Sequence, residues 1–342
     1  MIPAPTGPLD TEGAFALVRQ YLEETRPAEA ATIRVTALSG DASTRRYYRL
    51  QGVEGSQVLA LYPEAFAPDE LSYLTVHRLL EGYGLPVPAT VGVDGRRGIV
   101  LQEDLGDRTL QVVLEETSGS SRDELYREAV DQIAELQVKA AQAPQKADCF
   151  RIAFDIEKLS WELHYFQKHF LEGHRGSDPT VEDRATLSEA FHQLSHEIAS
   201  WPRALCHRDY HSRNLMQHGG RLYWIDFQDA RMGPTTYDLA SLLRDAYVDV
   251  PEELREELKE RFRQEAAPDE PREVFRRRFD LMCVQRNLKA LGTFGYMATV
   301  RSNPVYLPYI PRNLAHARHN LSRYPELERL WRTLARHVPE LG

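Results

Sequence analysis

The stretch Cys206-His-Arg-Asp-Tyr-His-Ser-Arg-Asn-Leu-Met216, with Arg221-Leu-Tyr-Trp-Ile-Asp-Phe227 after it, decides the fold. Within it Asn214 follows Asp209 by five residues, and an apolar run leads to Asp226. A His-Arg-Asp tripeptide, an asparagine at this spacing and an aspartate after the next strand form a catalytic loop for phosphoryl transfer. The sequence therefore predicts phosphoryl-transfer chemistry, in which Asp209 accepts or orients the proton of an attacking hydroxyl group.

The glycine pair 219–220 between these two segments predicts a two-residue hairpin turn. Such a turn brings Asn214 beside Asp226. Amide and carboxylate oxygens suit Mg²⁺, which takes its other ligands from water and nucleotide phosphates. We therefore expect Asn214 and Asp226 to bind Mg²⁺. We expect His207 to brace the loop, whereas His211 either contacts the transferring phosphate or makes a structural hydrogen bond.

Two other interpretations of this motif explain less of it. A chance His-Arg-Asp tripeptide would leave Asp209 as a simple cap, but the asparagine, the glycine turn and the second aspartate all follow in order. His207 and His211 are four residues apart, as in some zinc sites, but Arg208 stands where the H-E-x-x-H motif needs glutamate. Phosphoryl transfer remains the best interpretation.

The segment after Asp226 indicates a small-molecule acceptor. Protein kinases carry a long activation segment at this point, whereas this chain reaches a predicted helix at Thr235 or Thr236 within ten residues. No platform for a peptide is expected. Asp238, in that helix, either supports the catalytic loop or caps the helix three residues after Thr235, and the capping role is favoured because capping alone explains an aspartate there.

The first hundred residues are rich in strand signals and the rest in helical periodicity. Three strands, one helix and two strands are predicted in that order: 32–38, 45–51, 57–62, a helix over about 71–79, 91–93 and 98–102. The fold class is therefore α+β. We expect an N-terminal β-rich nucleotide-binding lobe over residues 1–104 and a mainly helical catalytic and substrate-binding lobe over 105–342.

Composition excludes several classes of protein. The 342 residues carry 42 basic and 51 acidic side chains, a net charge of -9, which argues against nucleic-acid binding. No apolar run is long enough to suggest a membrane span. The N-terminus does not resemble a signal peptide, and the 3 cysteines fit neither a disulfide framework nor a zinc knuckle, so a cytoplasmic protein is expected. The oligomeric state is not predicted.

The residues of the catalytic loop resemble those of the aminoglycoside phosphotransferase and choline kinase superfamily. Further likeness lies in Leu101-Gln-Glu-Asp-Leu-Gly-Asp107, which is similar to the interlobe hinge of that superfamily, and in the helix around Gly233-Pro-Thr-Thr-Tyr-Asp-Leu-Ala-Ser-Leu242. The resemblance implies a two-lobed protein-kinase-like fold that uses ATP and Mg²⁺, with the hinge backbone at Gln102, Glu103 and Asp104 holding adenine. ATP and GTP are not distinguished by these residues. A plain helix cap is the alternative role for Asp104.

A narrower resemblance points to the acceptor. The catalytic loop, Ile225-Asp-Phe-Gln-Asp-Ala-Arg231 and Gln285-Arg-Asn-Leu-Lys-Ala-Leu-Gly-Thr-Phe294 are similar to the anomeric N-acetylmuramate and N-acetylglucosamine kinases of peptidoglycan recycling. That likeness implies phosphorylation of the C1 hydroxyl of an amino sugar. Aminoglycoside, choline, homoserine or another small alcohol is the alternative acceptor.

The third strand departs from the kinase pattern. It lacks the basic residue that pairs with the nucleotide phosphates, and the phosphate-covering loop has only one glycine. We expect phosphate contacts from the guanidinium groups of Arg45 or Arg46 or from the backbone of Ser43 and Thr44, since guanidinium groups bind phosphate well. Solvated strand residues are the alternative. The same departure raises a nucleotide-binding pseudokinase as an alternative function, although a non-catalytic protein has no chemical need for the whole catalytic set.

Candidate acceptor contacts are Asp229 and Arg231, after the metal-binding aspartate, and Arg286 and Asn287 in a C-terminal helix. A solvated helix face is the default expectation for Arg286. The aromatic residues Trp161, Tyr165 and Phe166 are expected in the core rather than against a sugar. Residues 271–342 hold 13 basic and 5 acidic residues, a net of +8, so an anionic acceptor would gain more from this region than a cationic one.

Overall fold

The computed structural model describes residues 10–38, 45–142 and 147–342. The chain forms two compact units, described separately below. The first unit comprises the described part of Met1–Arg108 together with Met216–Gln228, and the second comprises Thr109–Leu215 and Asp229–Gly342. A hairpin from the middle of the chain thus belongs to the first unit. The functional division at residue 104 stays a prediction.

An antiparallel sheet of five strands forms most of the first unit, in the spatial order β1-β2-β3-β5-β4. The strands are β1 Arg34–Leu38, β2 Arg46–Gly52, β3 Gly55–Leu61, β4 Thr90–Asp94 and β5 Ile99–Glu103. Alternate residues of β2, such as Tyr48 and Leu50, are buried because one face of the sheet packs on the core. The predicted order of three strands, one helix and two strands is confirmed, and each strand lies within three residues of its expected bounds.

Two helices accompany this sheet, α1 Thr11–Thr25 and α2 Ser72–Gly82. The second was predicted, but α1 was not. Asp10 caps the N-terminus of α1 by accepting a hydrogen bond from the Gly13 nitrogen at 2.7 Å. The helix buries Ala14, Val18 and Leu22 against the sheet. The N-terminal lobe is therefore a sheet covered by a helix.

The second unit is mainly helical. Its α-helices are α3 Leu110–Glu116, α4 Ser120–Gln142, α5 Ile156–Phe166, α6 Val181–Ala199, α7 Tyr237–Leu243, α8 Glu252–Ala266, α9 Arg272–Thr299, α10 Ile310–Leu321 and α11 Glu328–His337. A two-stranded sheet joins β6 Arg203–Cys206 to β9 Arg231–Pro234.

Between these strands in sequence lie β7 Leu215–His218 and β8 Arg221–Trp224, which pair with each other. Their two-residue turn, Gly219 and Gly220 at φ 57° and 80°, confirms the predicted hairpin.

Helix α9 is the centre of the second unit. Its stretch Leu281–Val284 is buried on every side, as expected of a helix surrounded by others. Helix α5 continues without a break into a π-helix, Gln167–His174, that packs on α9. The close approach needs glycine at two positions, because a Cβ on Gly295 would lie 2.3 Å from the His169 carbonyl oxygen and one on Gly292 2.8 Å from a Cα atom of α5. Among the described helices none is long and apolar enough to cross a membrane.

Candidate active site

The catalytic loop begins where β6 ends, and a buried carboxylate fixes its first residues. Asp238, on α7, is fully buried and accepts hydrogen bonds from the backbone nitrogens of His207 at 2.6 Å and Arg208 at 3.0 Å. The capping role favoured for Asp238 is wrong, because α7 begins after Thr236 and has no side-chain cap. Burial raises the pKa of Asp238 to about 7, although the two backbone hydrogen bonds oppose the rise. The residue supports the catalytic loop.

Arg208 adopts a left-handed backbone conformation with φ at 86°. This region is uncommon for a bulky residue and is typically maintained by the surrounding structure at functional sites. Here the backbone bond to Asp238 and an ion pair hold the residue: the Arg208 guanidinium lies 2.7 Å from the carboxylate of Asp229. The turn at Arg208 directly precedes Asp209, the predicted catalytic aspartate, in the chain.

Asp209 lies among three cations. Its carboxylate accepts a hydrogen bond from the Lys289 ammonium at 3.1 Å, and the guanidinium groups of Arg286 and Arg208 lie 3.8 and 3.7 Å away. Burial works to raise the pKa of Asp209, but the charges of Lys289, Arg286 and Arg208 outweigh burial and hold the pKa well below its usual range. A quarter of the side chain remains exposed, so the carboxylate is accessible, and its contact with an acceptor hydroxyl group stays a prediction.

Two of the cations beside Asp209, Arg286 and Lys289, come from α9, more than seventy residues away in sequence. Arg286 is only 8% exposed and donates a hydrogen bond to the Tyr237 hydroxyl at 2.6 Å, so the expectation of a solvated helix face is wrong. Lys289 was not among the predicted site residues. Asn287 is buried and donates to the Asn313 side chain at 2.6 Å, which ties α9 to α10. The assignment of Arg286 and Asn287 to the acceptor stays a prediction.

The rest of the loop is anchored by its own polar groups. The amide nitrogen of Asn214 donates to the Asp209 carbonyl at 2.9 Å, so the amide oxygen is the atom available as a metal ligand. His207 is buried, as a bracing residue would be. Burial lowers the pKa of His211 to about 3 despite the nearby charge of Asp209, so this imidazole is neutral at physiological pH. His211 therefore brings no positive charge to a phosphate, and its catalytic role stays a prediction.

Strand β9 takes the place of an activation segment. Its pairing with β6 sets Arg231 opposite Cys206, the residue before the catalytic loop. The Arg231 side chain donates to the Asp229 carbonyl at 3.1 Å, and Asp229 in turn pairs with Arg208. Both predicted acceptor residues, Asp229 and Arg231, therefore lie beside the loop. Their contact with an acceptor stays a prediction.

In the first unit, Asp226 follows β8 and is also left-handed, with φ at 63°. Its carboxylate is partly exposed and accepts hydrogen bonds from Gln228 at 2.8 Å and Arg45 at 3.2 Å. Arg45 sits close to the rings of Tyr47 and Tyr62. The cation Arg45 thus contacts Asp226, the predicted metal ligand. The third strand of the same unit carries no basic residue.

The other predicted phosphate contacts have different outcomes. Arg46 donates to the Thr11 hydroxyl at 3.0 Å, which links β2 to α1. Ser43 and Thr44 lie outside the described residues. Of the predicted set, Arg45 is therefore the residue whose contacts fit phosphate binding best.

The predicted hinge follows β5. Asp104 accepts hydrogen bonds from Arg49 at 3.1 Å and from the Gly106 nitrogen at 3.0 Å, whereas Thr109 caps α3, so the helix-cap role for Asp104 is wrong. Burial works to raise the pKa of Asp104, but its hydrogen bonds outweigh burial and lower it. A carboxylate paired in this way fixes the segment after β5 to the sheet.

The other two hinge residues lie at the end of β5 itself. Gln102 accepts a hydrogen bond from the Tyr73 hydroxyl at 2.6 Å. Glu103 accepts one from the Ala89 nitrogen at 3.0 Å. Adenine binding by Gln102, Glu103 and Asp104 stays a prediction.

Asn214 and Asp226 each carry a donor atom of the type that a magnesium site uses, and their binding of Mg²⁺ stays a prediction. No cluster of three or more histidine, cysteine, aspartate or glutamate residues with the geometry of a metal site occurs in the described part of the chain. One amide oxygen, from Asn214, and one carboxylate, from Asp226, are few ligands for a self-contained site. They suit Mg²⁺, which usually keeps several waters and binds substrate phosphates.

One aromatic expectation is wrong. Trp161 is 54% exposed rather than in the core, whereas Phe166 is fully buried as predicted. The Lys158 ammonium lies over the Trp161 ring at 4.1 Å, and Tyr165 packs beside it with ring centroids 5.1 Å apart. The exposed Trp161 ring presents a flat apolar face at the surface of α5.

Comparison with known proteins agrees with this chemistry. A profile of the phosphotransferase enzyme family matches residues 34–274. The chain is 33% identical over 313 residues to the N-acetylmuramate/N-acetylglucosamine kinase of Neisseria meningitidis, covering 89% of this chain and 90% of that protein. It is 35% identical over 304 residues to the enzyme of the same name from Pseudomonas aeruginosa, covering 87% and 86%. The narrower resemblance noted in the sequence is thus confirmed.

Solved structures share the fold at low sequence identity. A choline/ethanolamine kinase family protein from Mesorhizobium loti superposes with a TM-score of 0.60 at 17% identity, covering 96% of this chain and 98% of that one. ADP-bound aminoglycoside phosphotransferase APH(2'')-Ib gives a TM-score of 0.59 at 18% identity, covering 90% and 98%. The predicted kinase-like α+β fold is therefore confirmed. With its catalytic loop and the match over most of its length, the chain belongs to the phosphotransferase enzyme family.

Proposed function

We propose that this phosphotransferase uses ATP and Mg²⁺ to phosphorylate the anomeric C1 hydroxyl of N-acetylmuramate and N-acetylglucosamine. The observation that carries the proposal is the identity of about a third, over nearly nine-tenths of the chain, with relatives named as kinases of these two sugars. The catalytic loop supports the same reaction, since Asp209 is an ionised carboxylate next to a lysine. The solved structures support the fold and leave the acceptor open.

In the proposed mechanism Asp209 holds the acceptor hydroxyl by accepting its hydrogen bond and so aims the oxygen at the phosphorus. Three cations keep this carboxylate ionised and weakly basic. Its main contribution is therefore orientation, with proton acceptance late in the reaction. Lys289 and Arg286 place positive charge where charge develops on the transferring group.

Asn214 and Asp226 are the proposed magnesium ligands, and Arg45 the proposed phosphate ligand in place of the missing third-strand lysine. A magnesium ion held there would neutralise charge on the nucleotide phosphates. The Arg45 guanidinium already pairs with Asp226 at 3.2 Å, and a bound nucleotide would offer it phosphate oxygens in bidentate geometry. Asp238 keeps the catalytic loop in place through its two backbone hydrogen bonds.

An acceptor screen tests the proposal. ADP release is followed with ATP, Mg²⁺ and each of a series of acceptors: the two N-acetyl sugars, an aminoglycoside, choline and homoserine. The Asp209→Asn variant serves as the blank. We expect turnover above the blank with the two sugars, and a product that has lost its free reducing end. Turnover with another alcohol alone would refute the sugar assignment, and ATP binding without any turnover would indicate a pseudokinase.

A further inference from the structure

Helix α5 and the π-helix after it present a row of partly exposed rings. Trp161 packs beside Tyr165, whose ring lies 4.2 Å from His169 and 5.7 Å from Tyr296, centroid to centroid. We call Trp161, Tyr165, His169 and Tyr296 the aromatic strip. Exposed aromatic rings in a row offer a flat apolar surface, of the kind that suits the C–H face of a sugar ring.

The aromatic strip is connected to the reacting centre by a buried contact. Glu162, directly after Trp161, is buried and accepts a hydrogen bond from Gln285 at 2.8 Å. Gln285 immediately precedes Arg286 on α9 and lies one helical turn from Lys289, and both of these cations face Asp209. The packing of α5 on α9 therefore places Glu162, the neighbour of Trp161, against the segment of α9 whose cations contact Asp209.

The charged side chains here carry a surplus of positive charge. Ion pairs within 4 Å connect five cations with only three carboxylates. The cations are Lys158, Arg208, Arg231, Arg286 and Lys289, and the carboxylates are Glu162, Asp209 and Asp229. These ion pairs leave a surplus of about two positive charges, which the buried Asp238 reduces above its pKa of about 7, and a positive surplus in partly buried surroundings favours an anionic ligand.

The cations divide by position. Arg208, Arg286 and Lys289 lie against Asp209, where the phosphoryl group is transferred. Lys158 instead lies over Trp161 at 4.1 Å, and its carboxylate partner Glu162 is 3.8 Å away and already bonded to Gln285. Lys158 is thus the cation that the strip itself presents to an acceptor.

Arg231 reaches toward the same helix from β9. Its guanidinium lies 5.4 Å from the Phe154 ring, just before α5 begins. Burial lowers the pKa of Lys158, Glu162 opposes the shift, and the charges of Arg208, Arg231 and Lys289 add to the lowering. An ammonium group held among other cations is stabilised when an anion binds next to it.

We propose that the aromatic strip carries the sugar ring of the acceptor and that Lys158, assisted by Arg231, binds a carboxylate on it. The inference rests on the proposed function. N-acetylmuramate carries a lactyl carboxylate that N-acetylglucosamine lacks. The inference therefore assigns to Lys158 and Arg231 the ability to distinguish between these two acceptors. Lys158 and Arg231 are then specificity residues, because the neutral sugar reacts without them.

Kinetics with the two sugars at saturating ATP test the inference. Lys158→Met keeps the apolar stem and removes the charge. We expect kcat/KM for N-acetylmuramate to fall about tenfold, mainly through KM, as loss of a charge-assisted hydrogen bond implies. The value for N-acetylglucosamine should stay within about twofold because that sugar has no carboxylate. Lys158→Arg should restore most of the discrimination.

A matched control is Lys139→Met, which removes a lysine paired with a glutamate four residues away on α4, as Lys158 is on α5. Lys139→Met should leave kcat/KM for both sugars unchanged. Trp161→Ala, at an exposed position, should raise KM for both sugars alike, because both share the ring. Thermal unfolding verifies that each variant is folded.

The outcomes separate the two claims. A parent enzyme that phosphorylates neither sugar refutes the proposed function and the inference with it. A parent active on both sugars, with Lys158→Met weakening both equally or neither, refutes the inference alone. If Lys158→Met raises KM for ATP and leaves KM for N-acetylmuramate unchanged, Lys158 would be assigned to the nucleotide. That result would also refute the inference.

Discussion

Replacing Lys289 with methionine removes the cation in direct contact with the reactive carboxylate while keeping most of its side-chain volume. The Nζ atom lies 3.1 Å from the Asp209 carboxylate, within the range of a charge-assisted hydrogen bond. Such a bond contributes about 1.5 to 3 kcal/mol, and each 1.36 kcal/mol corresponds to about tenfold in rate. We therefore expect kcat/KM to fall about 10- to 150-fold in Lys289→Met.

The pH dependence gives this prediction a second readout. Lys289 helps to hold the pKa of Asp209 below its usual range, so removing the lysine raises that pKa and moves the acid limb of kcat/KM to higher pH. Burial lowers the pKa of Lys289 itself. As the pH rises, the parent should therefore lose this ammonium charge earlier than an ordinary lysine would, which contributes an alkaline limb.

Lys289→Arg separates the two effects. Arginine keeps the positive charge and does not titrate below pH 12, so the alkaline limb should recede while the acid limb stays near that of the parent. The assay is coupled detection of ADP release between pH 5 and 9, with circular dichroism to verify the fold. A kcat/KM within about twofold of the parent for Lys289→Met, with an unmoved acid limb, would refute the reasoning.

Three further predictions concern the supports of the site. Asp238→Asn places an NH₂ group against a backbone N–H that needs an acceptor, which costs about 1–3 kcal/mol. Both the melting temperature and kcat should therefore fall. An unchanged kcat would contradict the supporting role of Asp238. Gly295→Ala puts a methyl group against a carbonyl oxygen of the π-helix and should lower the free energy of unfolding in urea by about 1–3 kcal/mol. Gly82→Ala, with open space around its Cβ, is the control and should leave that free energy nearly unchanged. Equal stabilities of the two variants would disprove the close-approach argument. Arg45→Ala should raise KM for ATP about tenfold, because Arg45 pairs with Asp226. Arg46→Ala should raise it much less, because Arg46 bonds to Thr11. ATP kinetics like those of the parent in Arg45→Ala would exclude Arg45 as the phosphate ligand.

The catalytic loop was predictable because its chemistry lies within one short continuous segment. The spacing from Asp209 to Asn214 and the glycine turn at 219–220 are local features, and local features are encoded in neighbouring residues. The hairpin and the fold class followed from the same signals. What surrounds the loop depends on packing between distant segments, and there prediction was weaker.

Lys289 and Arg286 illustrate this limit. On a helix, a charged residue is assigned to the solvent face by default, since most are found there. The run Leu281–Val284 directly before them is apolar at four consecutive positions, which indicates a helix buried all round. In such a helix a charged side chain must face an internal partner, and that signal was available for both cations.

Helix α1 and Trp161 were missed for different reasons. Asp10 followed by Ala14, Val18 and Leu22 is a capped amphipathic helix, and the spacing alone was sufficient to find it. Trp161 was placed in the core because large aromatic residues are mostly buried. Its exposure depends on where α5 ends up against α9, which no local pattern encodes.

The pairing of β9 with β6 has a consequence for control of the enzyme. All four residues of Arg231–Pro234 are paired in the sheet, and α7 begins three residues later, at Tyr237. A protein kinase can be switched on by phosphorylating a free loop at this point. Here that stretch of backbone is already paired in the sheet, so it has no free loop to be ordered by phosphorylation. We therefore expect the segment after Asp226 to take its working conformation on folding, without a modification step.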